Sequence, residues 1–558
     1  MDGRKGCYAS LSESEFFAQL SAAYLGTTAG YDRTTHDRRQ NDKAWVALHE
    51  PQVFAILERI YAGASVTGTN PTHDPLAYQA PQPLPSHRRD SGQRRVTGPT
   101  RARRSRAKRA IMPRVQRSHY QCPGPTGAQE RLSMAAKIKS VQAKEIMGSR
   151  VPALEVTVTT DTGAVGRSTP ESGVSTGIYE AAFVLDGGER FGGMGLRKAA
   201  RNAEELGREI VGIEVSKQRE IDNLLKVLDG TPNKARYGAN AIVGVSLAVC
   251  AAGAASAGLP LYQYIGGVNA ATLPMPIIGI CLSGRYRDPG DTRWLKPSYE
   301  IIPYGAGSFE RSLDMADAMH REFTRLVVER YGMNVYRKHA LERSYDSFWM
   351  VGAIKDDREI LDLMTRAIEN THGVENIGIY YDAAGGCYYE RDIDRYVGIY
   401  SEGEKTRDEM VAYYAQLVKD YPIVSIEDPL DEEDWEGHAM VTEATGIEIV
   451  GDDLFTTNIE RVKLGVAAGA ANSMVLKITQ VGTVTEALDA ANYCLTHGYN
   501  VHPCGSRGDR STIADYAVGL SAGQVRGYDQ RRMMAFEADL GSAAIWPGKA
   551  LFKGAKQR

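Results

Sequence analysis

The chain has 558 residues, 43% of them hydrophobic, and a formal net charge of −3 at pH 7. That length calls for more than one domain, and the composition excludes a wholly disordered or collagen-like chain. The charge is unevenly placed: residues 1–133 carry 20 Lys and Arg against 11 Asp and Glu, the remainder 46 against 58, so the first segment is of a different kind. The seven cysteines are scattered, with no C-x-x-C pair, as suits a reduced, cytoplasmic compartment. Apolar Phe16–Leu25 follows Glu13 and Glu15 instead of a basic stretch, so it is not read as a secretory signal.

In chain order, residues 1–65 hold two amphipathic patterns, near Glu13–Tyr24 and Ala44–Ala62. Residues 66–133 are rich in Pro, Ser, Gly and Arg, with a basic run from Arg88 to Arg117 opposed only by Asp90. Such a run has too few large apolar residues to bury a core and is expected to be largely disordered. A nucleic-acid arm is one reading of it. A solvated extension is the other and is preferred, because basic runs are unspecific; neither a nucleic-acid nor a membrane partner is expected. Residues 136–160 alternate as strands do, broken at Gly148-Ser-Arg-Val151. A small-residue loop follows at Ser172-Gly-Val-Ser-Thr-Gly177, then helical segments to about Gly258. The weakly apolar Ala239–Gly258 reads as a tightly packed buried helix and not as a membrane span.

Further on, five segments share one pattern, an apolar run closing on a polar residue: Ile377–Asp382, Pro422–Glu427, Ile447–Asp452, Asn472–Lys477 and Gly498–His502. The last four end at 427, 452, 477 and 502, a constant step of 25, which is one strand, one helix and two loops. Helix-like segments such as Asn458–Ala470 and Thr483–His497 lie between them. This repeat predicts a parallel sheet closed into a (β/α) barrel, with its chemistry at the C-terminal strand ends. Asp382, Glu427 and Asp452 would repel one another in a barrel mouth unless a hard cation such as Mg²⁺ lay between them. Lys477 beside such a cation is placed to act as a base.

Ser425-Ile-Glu-Asp-Pro429, Val450-Gly-Asp-Asp-Leu454 and Leu476-Lys-Ile-Thr-Gln-Val-Gly482 resemble the metal-ligand and catalytic-lysine motifs of the enolase family, which interconverts 2-phosphoglycerate and phosphoenolpyruvate. The resemblance runs from about Ala136 to the C-terminus. It implies an α/β fold: an enolase-type (β/α)8 barrel at 271–558, an N-terminal α+β cap domain of three strands and four helices at 134–270, and a basic, partly disordered extension at 1–133. Met134 stands where the family's chains usually start. The resemblance further implies Mg²⁺ on Asp382, Glu427 and Asp452, Lys477 as the base at carbon 2, Ser175 at a second metal site, His502 near the phosphate, and a homodimer. Arg526, in Gly523-Gln-Val-Arg, stands for a family lysine. Asp346 falls opposite the glutamate that helps the hydroxyl leave.

Other family features are replaced. Ser298 stands at the second acidic partner, with Glu300 two residues on and one step deeper in its strand. Leu282–Gly290 carries no histidine where the family has one. Val501-His-Pro-Cys-Gly505 lacks the arginine and serine of the phosphate grip. Three readings therefore stay open: a divergent enolase, a non-catalytic enolase-like scaffold or interaction protein, and a lyase or racemase acting on a different carboxylate.

Overall fold

The computed structural model describes residues 135–148, 151–172, 177–282, 296–344, 347–350, 356–397 and 404–552. The chain divides into two compact units, Met1–Leu132 and Ser133–Arg558, and all described residues lie in the second. The two helical patterns and the basic run expected before residue 133 fall outside the described residues.

The second unit opens with an antiparallel meander: β1 (Ile138–Met147), β2 (Pro152–Thr160) and β3 (Val165–Ser168). Alternation along β2 turns Leu154, Val156 and Val158 inward, and helices cover that face. Those helices are α1 (Arg197–Ile210), α2 (Gln218–Asp229), α3 (Ala239–Ala257) and α4 (Leu261–Gly266). By length and composition α3 could cross a membrane, yet 83% of that window is buried inside the protein. Its small residues allow close approach to the sheet: a Cβ at Gly166 of β3 would lie 2.1 Å from the Ala248 carbonyl oxygen.

The barrel follows. Its strands are β4 (Met275–Leu282), β5 (Ser298–Ile302), β8 (Gly378–Asp382), β12 (Ile423–Glu427), β13 (Glu448–Gly451), β14 (Ser473–Leu476), β15 (Asn500–Pro503) and β16 (Gln524–Arg526). A hairpin, β6 (Ala340–Ser344) with β7 (Ser347–Met350), pairs against β4, and β9 (Tyr389–Glu390), β10 (Arg395–Val397) and β11 (Glu404–Lys405) form a small separate sheet. Pairing runs β4-β5-β8-β12-β13-β14-β15, β16 pairs β4, and a parallel bridge between Cys504 and Arg526 joins β15 to β16 to complete the ring. The expected all-parallel sheet needs one correction. β5 pairs antiparallel with both β4 and β8, so the chain runs along it in the direction opposite to its neighbours.

Helices α5 (Phe309–His339), α6 (Asp357–Glu369), α7 (Arg407–Asp420), α8 (Trp435–Thr445), α9 (Ile459–Ala468), α11 (Val484–Thr496), α12 (Arg510–Gly519) and α13 (Gln530–Leu540) make the outer layer, while the short α10 (Ile478–Val481) is buried at the mouth. Local sequence sets their starts. Thr406 and Glu409 form a reciprocal capping box at α7, and Asn458 and Thr483 accept backbone N–H bonds at α9 and α11. The apolar core lies between this ring and the strands, while Met275, Ile277, Ile302, Val450 and Val475 fill the barrel interior.

Candidate active site

Adjacent strands β8, β12, β13 and β14 bring Asp382, Glu427, Asp452 and Lys477 together at their C-terminal ends, where β-branched runs give way to loops. Asp382 and Glu427 pair directly in register. All four are buried; Asp382 and Glu427 are each 1% exposed. The Lys477 ammonium donates to Asp452 Oδ2, and Gln480 Nε2 donates to Asp452 Oδ1 at 2.8 Å. The Lys477 backbone N–H is fixed by Thr457 Oγ1 at 2.9 Å, at the entry to α10.

Arg526 reaches across the mouth from β16. Its Nη1 donates to Glu427 Oε2 at 2.9 Å and its Nη2 to Asp382 Oδ2 at 2.8 Å. The same Nη2 also bonds Glu300, whose second oxygen is buried without a hydrogen-bond partner. The Lys296 ammonium binds Asp382 from the other side. Facing the barrel from the first domain, Glu180 takes both terminal nitrogens of Arg507, which is 2% exposed.

These carboxyls do not all keep their charge alike. Burial opposes ionisation of Asp382, but Lys296 and Arg526 outweigh it and hold the group below its usual range. Asp452 is likewise held low, against burial, by Lys477. Burial and the neighbouring Asp382 push Glu427 up to about 8; burial and Asp452 push Asp453 to about 7. Asp428 is raised well above the carboxylate range by burial and by Asp453 and Asp452. Lys477 stays charged because Asp452 outweighs the cost of burying it. Glu180, Glu300, Asp382, Glu427, Asp428, Asp452 and Asp453 thus outnumber Lys296, Lys477, Arg507 and Arg526. A buried surplus of carboxyl groups that hold one another from ionising is the environment a cation would relieve.

The donors for one are present. Glu427, Asp428 and Asp452 offer oxygens that all lie within 4.8 Å of one another. Asp428 is fixed there by accepting the backbone N–H groups of Asp452 at 2.9 Å and Asp453 at 2.8 Å. An oxygen-only donor set fits a hard divalent cation. Of the three ligands expected from sequence, Glu427 and Asp452 lie in this group, while the near oxygen of Asp382 is engaged by Lys296 and Arg526.

The remaining sequence-derived residues are placed as follows. Ser175 and Asp346 lie outside the described residues. Arg526 is in the mouth. His502 is not: β15 continues past it to Pro503, and its Nε2 faces Ser473 Oγ at 2.9 Å and Glu448 Oε1 at 3.3 Å, residues that begin β14 and β13. The step of 25 fails here because β14 and β15 pair Ser473 with Asn500, which leaves Cys504 beside Lys477. Arg507, Glu180 and Lys296 were not anticipated. An arginine in the small-residue loop Gly505-Ser-Arg-Gly508 was a usable signal for the first; Lys296 carries none, since it lies in no motif.

A (β/α) barrel with a small α+β domain, and at its mouth a lysine bound to one of several buried carboxylates, is the frame of an enzyme whose base works beside carboxylates able to hold a cation. The comparisons give that class its family. Residues 270–554 match the family model for the enolase C-terminal TIM barrel domain, and residues 138–265 that for the enolase N-terminal domain. The chain is 41% identical over 396 residues to the enolase of Methanocaldococcus jannaschii, covering 70% of this chain and 90% of that protein. It is 40% identical over 431 residues to the Thermococcus gammatolerans enolase, covering 74% and 97%, and 41% over 426 residues to that of Methanopyrus kandleri, covering 73% and 97%. The chain belongs to the enolase family, the phosphopyruvate hydratases among the carbon–oxygen lyases.

Proposed function

We propose that this chain dehydrates 2-phosphoglycerate to phosphoenolpyruvate with Mg²⁺ as cofactor, a step of glycolysis, in the cytoplasm and as a homodimer. The observation that carries the reading is Lys477, buried and joined to Asp452 beside Glu427 and Asp382 at consecutive strand ends. A lysine base working with Mg²⁺ is the general pattern of the enolase superfamily and is taken from it. In this chain Lys477 removes the proton at carbon 2. Asp452 keeps the lysine charged, so it becomes a base only when that carboxylate is engaged elsewhere. Glu427, Asp452 and either Asp428 or Asp382 would hold the cation, which when bound would stabilise charge developing on the substrate carboxylate. Arg526 and Arg507 supply guanidinium groups for an anionic substrate. Asp346 assists the leaving hydroxyl and Ser175 borders the substrate. His502 is assigned to the barrel floor with Glu448 in place of a phosphate contact.

The test is phosphoenolpyruvate absorbance with the full chain, 2-phosphoglycerate and excess Mg²⁺, beside Lys477→Ala. Turnover that disappears in the variant is expected. Absence of turnover in a folded, Mg²⁺-binding wild type overturns the reading in favour of a non-catalytic scaffold. A second reading, a carboxylate substrate without phosphate, is favoured by one observation: both oxygens of Glu180 already satisfy Arg507. Turnover of glycerate but not 2-phosphoglycerate selects it.

A further inference from the structure

Lys296 lies just ahead of β5. Because β5 runs against its neighbours, the chain enters this strand from the mouth side and carries the lysine to Asp382. The ammonium bonds Asp382 Oδ2, the oxygen that Arg526 Nη2 also holds at 2.8 Å. Two protein cations therefore cover an oxygen that could ligate a metal.

They reach it by different routes. Arg526 bonds Glu300 and Glu427 as well as Asp382, and its guanidinium lies 5.7 Å from the centre of the Tyr380 ring. Lys296 has a single flexible stem, and its side chain is 19% exposed where that of Asp382 is 1% exposed. The guanidinium is fixed by carboxylates on several sides, while the ammonium reaches the same Asp382 oxygen from the entry to β5.

We propose that Lys296 is a built-in counter-ion that competes with the divalent cation for Asp382, so that filling the centre requires this ammonium to leave. The inference rests on the reading that the mouth binds a divalent cation. With Lys296 in place, Asp382 is neutralised and Glu427, Asp428 and Asp452 remain the convergent oxygens. With Lys296 withdrawn, Arg526 alone faces Asp382, and one positive charge fewer lies beside Glu427, its register partner on the next strand. A like charge a few ångströms from the ion in a weakly screened site weakens binding by about tenfold or more.

The test uses Mn²⁺ as the probe, with free ion measured by electron paramagnetic resonance at constant ionic strength and pH on the full chain. Mg²⁺ competition establishes a shared site. Lys296→Met is expected to bind Mn²⁺ about tenfold more tightly or better than wild type, and Lys296→Arg to stay near wild type. Adding Asp382→Asn to Lys296→Met is expected to erase the gain, whereas Lys217→Met on the surface changes nothing. Equal or weaker binding by Lys296→Met overturns the counter-ion role while leaving the metal site standing. Failure of wild type and every variant to bind Mn²⁺ overturns the cation reading itself, and this inference with it. Thermal unfolding is followed in parallel, and if Lys296→Met does not fold, Lys296→Gln is judged by the same criteria.

Discussion

Glu448 begins β13 and is fully buried, yet its carboxylate is held below its usual range. Burial opposes that charge, but the surroundings are built to receive it: His502, Ser425 Oγ at 2.9 Å, Asn500 Nδ2 at 2.7 Å and Gln524 Nε2 at 3.0 Å. Ser473, Asn500 and Gln524 begin β14, β15 and β16, so this polar belt spans the starts of four successive strands. At the other end of the same strands the carboxyls crowd one another, and Glu427, Asp428 and Asp453 are all raised. A single buried charge ringed by donors is a structural element. A buried crowd of carboxyls without enough donors is a site waiting for a ligand.

Removing a group from each end sharpens this contrast. The largest effect belongs to the mouth: Lys477→Ala is expected to lower turnover by about 10²–10⁴-fold, with some loss of stability because Asp452 loses its buried ammonium partner. Retained turnover would remove the lysine from the chemistry. At the floor the balance reverses. Glu448→Ala leaves Asn500 and Gln524 with buried, unpaired donors, and should cost about 3 kcal/mol of stability in urea titration. A cost within a few tenths of a kcal/mol would mean the belt is not structural.

The mouth should also show itself through pH. Glu427 at about 8 and Asp453 at about 7 lie above the value of about 4 for an unfolded carboxyl. Between those limits the folded state binds more protons than the unfolded one, so metal-free stability falls as pH rises from about 4 to about 8. Urea midpoints at pH 5.5, 7 and 8.5 should decrease, and saturating Mg²⁺ should flatten the trend; a rise with pH would contradict the excess of charge. The smallest effect is expected away from both ends. Arg219 of α2 makes two 2.7 Å bonds to Asp489 of α11, but it is exposed, and Arg219→Ala should cost at most about 1 kcal/mol.

Much of this was legible in the sequence, and the reasons differ by residue. Asp382, Glu427, Asp452 and Lys477 were visible because each ends a short β-branched run, and burial of those runs on both faces leaves a clear pattern. His502 broke the rule because strand pairing is set by hydrogen-bond register, which sequence spacing does not encode; an added pair of residues before the mouth moved it one step down. The direction of β5 was hidden because a strand carries the same side-chain pattern whichever way it runs. Lys296, Glu180 and Arg507 were missed because they meet only in space. Glu300 lies one step deeper in β5 than Ser298, and Arg526 is long enough to bring it into the same network.

The reversal of β5 has a consequence for how this barrel can vary. In every other barrel strand the chain arrives at the floor and leaves at the mouth. Leu282 and Ser298 pair with each other at the mouth, so both ends of the β4–β5 connection open on the catalytic face. A change in the length of that connection leaves Leu282 and Ser298 as its fixed ends in the hydrogen-bonded wall. That one connection is a place where the chemistry of a lineage can change without any renegotiation of the fold.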